Sequence, residues 1–145
     1  MTTIEEKINY YKEGLDTFDE DMEKYKFLLD QAKNCKPFPE EYREDTFLVS
    51  GCQAQVWLVP YKKDDKLYFH SDSDAFISKG MITILCDIYG GRNPNEIVKT
   101  NFDLLNTLKL DNLLTPGRRN GAYAMLMKIK EHASAHIRNK KNTEI

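Results

Sequence analysis

Phe47-Leu48-Val49-Ser50-Gly51-Cys52-Gln53-Ala54-Gln55-Val56-Trp57-Leu58-Val59 is the stretch on which the fold turns. Phe47 to Ser50 is a short β-prone run, and Gly51-Cys52 interrupts it. From Gln53 to Tyr61 the side chains alternate loosely, putting Val56 and Leu58 on one face and Trp57 and Val59 on the other. Lys63-Asp64-Asp65 suits a turn, and Leu67-Tyr68-Phe69-His70 suits a further strand. The pattern predicts a small antiparallel meander of three strands, with Cys52 at the hairpin between the first two.

Outward from this stretch the period becomes helical. On the N-terminal side, Ile4, Ile8, Tyr11 and Leu15 recur at helical spacing, and Gly14 and Asp16 close that helix. Thr17-Phe18-Asp19-Glu20 has the form of a capping box. It predicts a second helix with Phe18, Met22, Tyr25, Leu28, Leu29 and Ala32 facing inward, stopped by Pro37 and Pro39. On the C-terminal side, Ile77, Met81, Ile84, Leu85 and Ile88 form a stripe that ends at Gly90-Gly91. Asn93-Pro94-Asn95-Glu96 and Thr115-Pro116 are helix starts, with short helical pieces expected through Phe102, Leu105 and Leu108. The last helix carries Ala122, Met125, Leu126, Ile129 and Ala133 inward. The fold class is α+β, with helices covering a small antiparallel three-stranded sheet.

A chain of 145 residues fits one domain, 1–145, with a single core. The formal net charge of −2 names no partner. Charge is uneven, however. Residues 1–60 hold seven Lys/Arg against thirteen Asp/Glu, and residues 61–145 hold fourteen against ten, so the halves carry −6 and +4. Such asymmetry either steers a protein partner or is an uneven surface. The basic run Arg138-Asn139-Lys140-Lys141 is too short to indicate nucleic acid. The acidic start lacks the apolar core of a signal peptide, and no stretch approaches a membrane span of roughly 20 apolar residues. Cys35, Cys52 and Cys86 are odd in number and without CxxC spacing, so neither a zinc ribbon nor a dithiol redox motif is present. Reduced thiols in the cytoplasm fit this usage.

Cys52 is the candidate for chemistry. A glycine-preceded tip between strands exposes a thiol on a rigid base, Gly51 permits a backbone conformation that a Cβ hinders, and free amides there stabilise a sulfur anion. Gln53 and Gln55 add neutral hydrogen-bonding groups. A plain buried cysteine is the competing account. Cys35, between a helix end and Pro37, and Cys86, on an apolar stripe, read as structural. A cysteine-dependent hydrolase or transferase requires a histidine base near Cys52, and only His70, His132 and His136 are available. His132 and His136 stand four apart on one helix face, a spacing that suits either a metal or a helix C-terminus, where imidazolium complements the dipole. A non-catalytic interaction protein with a structural Cys52 is the third possibility.

Three blocks carry a family resemblance. Gly51-Cys52-Gln53-Ala54-Gln55-Val56-Trp57 resembles the GCQSQVW signature of the SufE family, with Ala54 in place of the usual Ser. Asp72-Ser73-Asp74-Ala75, Ile77 and Lys79-Gly80 are similar to its D-S-D-A-x-I-x-K-G block. Leu114-Thr115-Pro116-Gly117-Arg118-Arg119-Asn120-Gly121 is similar to its L-T/S-P-S-R-x-x-G block, with Gly117 where Ser is common, and Glu23-Lys24-Tyr25 is similar to an E-E-K-Y segment. The blocks stand in family order and span most of the chain. The resemblance implies a fold shared with IscU-type scaffolds and a sulfur acceptor that works without a cofactor or metal of its own. It implies that Cys52 takes persulfide sulfur from a pyridoxal-phosphate-dependent, SufS-like cysteine desulfurase, stimulates that enzyme, and relays sulfur to a SufB-like scaffold for iron–sulfur cluster assembly. The usual scaffold cysteine trio is absent. Gly51, Gln53, Asp74 and Arg118 are the positions expected to control the loop or dock the partner. Helix capping by Asp72 or Asp74, and surface pairing by Arg118, are the plainer roles for these residues.

Overall fold

The structure, a computed structural model, describes residues 2–144, with side chains through Ile137; the side chains of the basic run 138–141 lie outside the described residues. Among the described residues the chain forms six α-helices, three short 3-10 turns and one hairpin. Helix α1 is Ile4–Asp16, α2 is Asp21–Gln31, β1 is Val56–Lys63, β2 is Lys66–Ser73, α3 is Phe76–Tyr89, α4 is Pro94–Val98, α5 is Leu104–Thr107 and α6 is Pro116–Glu144. Strands β1 and β2 pair antiparallel from Val56↔Ser73 to Lys63↔Lys66. The two residues between them, Asp64 and Asp65, have φ of 53° and 63°. Positive φ at both positions is the turn whose twist matches a two-residue hairpin, and Asp tolerates it.

The predicted meander is one strand too long: the sheet has two strands. The Phe47–Ser50 run contributes a single bridge, Leu48 opposite Trp57, and one bond from the Val49 N–H to the Val56 carbonyl at 2.8 Å. The reason lies in the side chains. Residues Asp45–Phe47 form a 3-10 turn, and both Phe47 and Leu48 pack on the apolar cluster of Phe38, Trp57 and Val59. Consecutive residues of a strand point to opposite faces, so this packing precludes an extended run.

The alternation in β1 holds. Val56 and Leu58 enter the main core, and Trp57 and Val59 enter the smaller cluster on the other face. Helix α3 is the centre of the main core, packed against β2, α1, α2 and α6. Ile77, Met81, Ile84, Leu85 and Ile88 are all buried, as their spacing predicts. The approach to α2 is close: a Cβ on Gly80 would run into the Leu28 carbonyl oxygen. Tyr25 ties α2 to the segment before α6 by donating to the Leu113 carbonyl at 2.6 Å.

Two expectations about the N-terminal helices fail. Thr17 does not cap α2. It ends α1 in helical geometry, its hydroxyl donates to the Glu13 carbonyl at 2.8 Å, and Glu20 takes the N-cap position of α2 without a side-chain bond. An N-cap needs extended backbone, which Glu20 has and the helical Thr17 does not. Nor do all the apolar residues of α2 face inward. Leu28 is fully buried, but Met22 is 70% exposed and Leu29 39% exposed. A narrow stripe suffices because α2 meets α3 at a glycine.

Gly80→Ala is therefore expected to destabilise the protein by about 3 kcal/mol, since a backbone carbonyl cannot step aside as a side chain can. Urea unfolding measures it, and a loss below about 1 kcal/mol would contradict the close approach.

Candidate functional site

Cys52 lies in the loop Ser50–Gln55, which links the Leu48 bridge to β1. Gly51 turns the chain there with φ of 93°, a conformation that glycine takes without penalty. The far end of the loop is held by the segment leading into α3. The Asp74 carboxylate accepts the Gln55 N–H at 2.9 Å. In return, the Gln55 carbonyl accepts the Asp74 N–H at 3.2 Å and the Ser73 hydroxyl at 2.8 Å. Both backbone groups of Gln55 are thus committed to two consecutive residues. Asp74 does not cap α3, whose N-cap is Ala75, and Asp72 does not either; the Ala75 N–H is met by the Ser73 hydroxyl at 3.3 Å.

The other flank of the loop is the start of α6. Gly117, Gly121 and Ala124 recur at spacings of four and three, so they share a helix face. A Cβ on Gly117 would fall 2.5 Å from the Gln53 amide, and one on Gly121 3.4 Å from the Cys52 sulfur; one on Gly51 would meet the Ala124 methyl at 3.4 Å. The loop is seated on backbone, in space that larger side chains would fill. The Cys52 thiol donates to the Gly121 carbonyl at 3.5 Å. It is half-buried, and that burial raises its pKa above the ordinary thiol range. A carbonyl partner also favours the protonated form. The resting group is therefore a sheltered thiol, not a standing thiolate. Val49 joins the same main core against which Cys52 packs, whereas Trp57 turns to the opposite cluster.

The other cysteines sit elsewhere. Cys35 donates to the Ser71 carbonyl at 3.3 Å. Burial pushes the Cys86 thiol up to about 12. Both line a cleft of about 630 Å³ with His70, Tyr11 and Asp87, and Cys52 is not in its wall.

The histidines are likewise apart from the thiol. His70 stacks between Tyr42 and Tyr61, at centroid distances of 5.9 and 4.3 Å. His132 packs near Phe69, its pKa lowered to about 4 by burial first and by Lys128 second. Its carbonyl meets Nδ1 of His136 at 2.8 Å. The helix continues to Glu144, so these residues do not lie at a C-terminus as their position in the sequence suggests. Among the described residues, no imidazole hydrogen-bonds Cys52, and no group of three His, Cys, Asp or Glu side chains is placed to hold a metal ion. A hydrolase would need a base that can take the thiol proton, and the carbonyl partner cannot.

Asp72 and Arg43 support the site from beneath. Asp72 bridges Arg43 at 2.9 Å and Lys79 at 3.3 Å, and those cations hold its carboxyl below the usual range against the opposing effect of burial. The Arg43 guanidinium lies over Trp57 and Phe38, 4.8 and 5.0 Å from the ring centres. Local pattern does not single out Arg43, Gly117 or Gly121 as site residues. Small residues at positions 117, 121 and 124 are the signal in the sequence for the last two. Arg118 stands exposed in the first turn of α6, and its side chain makes no hydrogen bond or ion pair among the described residues.

Alkylation by iodoacetamide tests the sheltered thiol. Because the pKa is raised, the rate–pH midpoint for Cys52 should lie above that of an unfolded cysteine peptide. At neutral pH the thiolate fraction is then smaller, and alkylation is several-fold slower than in the peptide. Cys86 should react more slowly still. A midpoint at or below the peptide value would refute the geometry of the resting loop.

No helix of the described residues is long and apolar enough to cross a membrane. The SufE family model, described as an Fe-S metabolism associated domain, matches residues 9–133. An uncharacterised SufE-like protein of Rhizobium meliloti is 30% identical over 142 residues, covering 94% of this chain and 99% of that protein. The cysteine desulfuration protein SufE of Wigglesworthia glossinidia brevipalpis is 32% identical over 137 residues, covering 92% and 93%. The solution structure of a hypothetical protein from Thermus thermophilus superposes with a TM-score of 0.75 at 17% identity, covering 90% of this chain and 96% of that one. That likeness shares the α+β fold with its small antiparallel sheet covered by helices. With the family model spanning most of the chain, and a thiol seated where its loop meets α6, this chain belongs to the SufE family.

Proposed function

We propose that Cys52 accepts sulfur from the persulfide of a pyridoxal-phosphate-dependent cysteine desulfurase and relays it toward iron–sulfur cluster assembly. The carrying observation is the setting of the thiol: half-buried, bonded to the Gly121 carbonyl at 3.5 Å, and without an imidazole partner among the described residues. Such a group is a poor nucleophile on its own and is protected from casual oxidation. It suits a carrier that should react only when a donor protein draws the loop from α6.

The step is thiol–persulfide exchange. Drawn from the Gly121 carbonyl, the Cys52 thiol gives its proton to solvent. Its thiolate attacks the outer sulfur of the donor persulfide. A new S–S bond forms on Cys52 as the donor's S–S bond breaks, and the donor cysteine leaves as a thiolate that can take up a proton. The sulfur oxidation levels are exchanged between the two proteins, so no outside oxidant or reductant is used. Delivery to an acceptor on a SufB-like scaffold repeats the exchange, with Cys52 now the leaving thiolate. Uptake by Cys52 speeds turnover of the desulfurase, because each transfer frees the donor cysteine for the next cycle.

Gly51 and Gln53 shape the loop, the first through its positive φ and the second by lying over Gly117. Asp74 restrains the far end through Gln55, and Arg118 offers an uncommitted cation beside the seat of the loop. Three free cysteines suit a reducing compartment, the cytoplasm.

Mass spectrometry after mixing with a desulfurase and cysteine should find one added sulfur on Cys52. Cys52→Ser should abolish it with the fold intact, whereas Cys35→Ser and Cys86→Ser should keep it. Asp74→Ala should speed alkylation of Cys52 several-fold. Arg118→Ala should slow transfer by a similar factor and leave alkylation unchanged. Sulfur uptake by the Cys52→Ser protein would defeat the proposal.

A further inference from the structure

Phe76 is 76% exposed, the most exposed of the large apolar side chains described. It is the first residue of α3, so its backbone is held by a helix whose later turns form the centre of the core. Nothing in the fold accounts for an aromatic ring there. Among the described residues it packs in no aromatic pair and joins neither apolar cluster. Leaving a ring of this size in water forfeits the stabilisation its burial would bring.

Its position supplies the explanation. Phe76 follows two residues after Asp74, which holds both backbone groups of Gln55 at the end of the Cys52 loop. On the opposite flank the loop rests on Gly117 and Gly121. The loop therefore lies between the first turns of α3 and α6, and each turn carries one uncommitted large side chain, Phe76 on one and Arg118 on the other. Any protein that brings a persulfide to Cys52 must lay its surface over this region, because a specific interface covers about 800 Å² per partner. An exposed aromatic on a rigid helix start has the character of an interface anchor, and aromatic and arginine side chains dominate such anchors.

We propose that Phe76 is the apolar anchor of the donor complex, seated in an apolar pocket beside the persulfide cysteine of the desulfurase. The inference rests on the sulfur-acceptor function proposed above and names the surface through which it operates. The occupant is a donor protein rather than a second copy of this chain, because Phe76 stands two residues from Asp74, which holds the end of the loop that has to open for transfer. A self-dimer through Phe76 would cover that approach. The anchor also links docking to release: a partner gripping Phe76 bears on the Asp74 segment and so on the two bonds to Gln55.

The test is fluorescence titration of the full chain against a pyridoxal-phosphate-dependent cysteine desulfurase, with sulfur loading of Cys52 measured in parallel. Phe76→Ser should weaken binding roughly tenfold or more. Phe76→Leu should retain most of the affinity. Neither change should alter the thermal midpoint or the alkylation rate of Cys52 in the isolated protein, since the ring supports neither fold nor loop. Tyr10→Ser serves as the control. Tyr10 is 64% exposed on α1, which meets α3 near Asp87, eleven residues beyond Phe76, and its loss should leave binding unchanged. Parent-like affinity of Phe76→Ser, in a preparation where the parent binds and takes up sulfur, overturns the anchor alone. Failure of the parent itself to bind or load sulfur overturns the proposed function instead. A parent dimer by light scattering that Phe76→Ser dissociates would assign the ring to self-association and overturn the inference.

Discussion

The close approach of α3 to α2 at Gly80 is the constraint on which the rest of the molecule depends. Because position 80 has no side chain, the Leu28 carbonyl comes to within the space a methyl group would need. Helix α3 can then be buried on several sides at once, with Ile82, Ile84, Leu85 and Ile88 fully excluded from solvent. The hairpin packs on it through Val56, Leu58 and Leu67, and α6 closes another side with Met125, Leu126 and Ile129. Packing at this density leaves little room for rigid-body adjustment. The starts of α3 and α6 are consequently firm supports, and the Cys52 loop hangs between them.

The loop itself is held by contacts of modest strength. At one end Asp74 and Ser73 satisfy the two backbone groups of Gln55. At the other flank, contact with α6 is made on glycine, where the loop gains enclosure with little interlocking of side chains. A net hydrogen bond contributes about 1 kcal/mol, so a few of them define a resting position without locking it. Arg43 and Lys79 balance Asp72 on the strand beneath, and that network keeps the segment before Asp74 in place. The rigid parts therefore lie in the core and the strand, and the adjustable part is the short loop that bears the thiol.

A half-buried thiol on a carbonyl acceptor is a compromise between protection and reactivity. Burial raises the pKa of Cys52 and lowers its thiolate fraction at neutral pH. Cys86 is pushed further, up to about 12, where burial against the helices weighs more heavily. The difference between the two thiols is thus less one of chemistry than of what carries them: the central helix α3 beside a cleft for Cys86, and a loop seated on glycines for Cys52.

Much of this is legible in the residues. The stripes of α3 and α6, the Asn93-Pro94 helix start, the two faces of β1 and the Gly-Cys tip all follow from local spacing, because burial on one face imposes a period that the sequence must carry. Cys52 stands out because glycine and cysteine interrupt an alternating pattern. What local pattern could not decide was the partner of each group. Thr17 ends α1 in helical geometry and donates to Glu13, so the extended residue that starts α2 is Glu20. Phe47 to Ser50 is β-prone yet makes one bridge, because Phe47 and Leu48 are both drawn to the Phe38 and Trp57 cluster. Asp74 looks like a cap beside its own helix, but the acceptor is taken by Gln55, nineteen residues away. The shelter of Cys52 comes from Gly121, sixty-nine residues away. The sequence by itself determined most of the helices and the β1–β2 hairpin, and it marked Cys52 as the thiol to examine. Only the tertiary structure decided what covers that thiol, because contacts between distant residues leave no period along the chain.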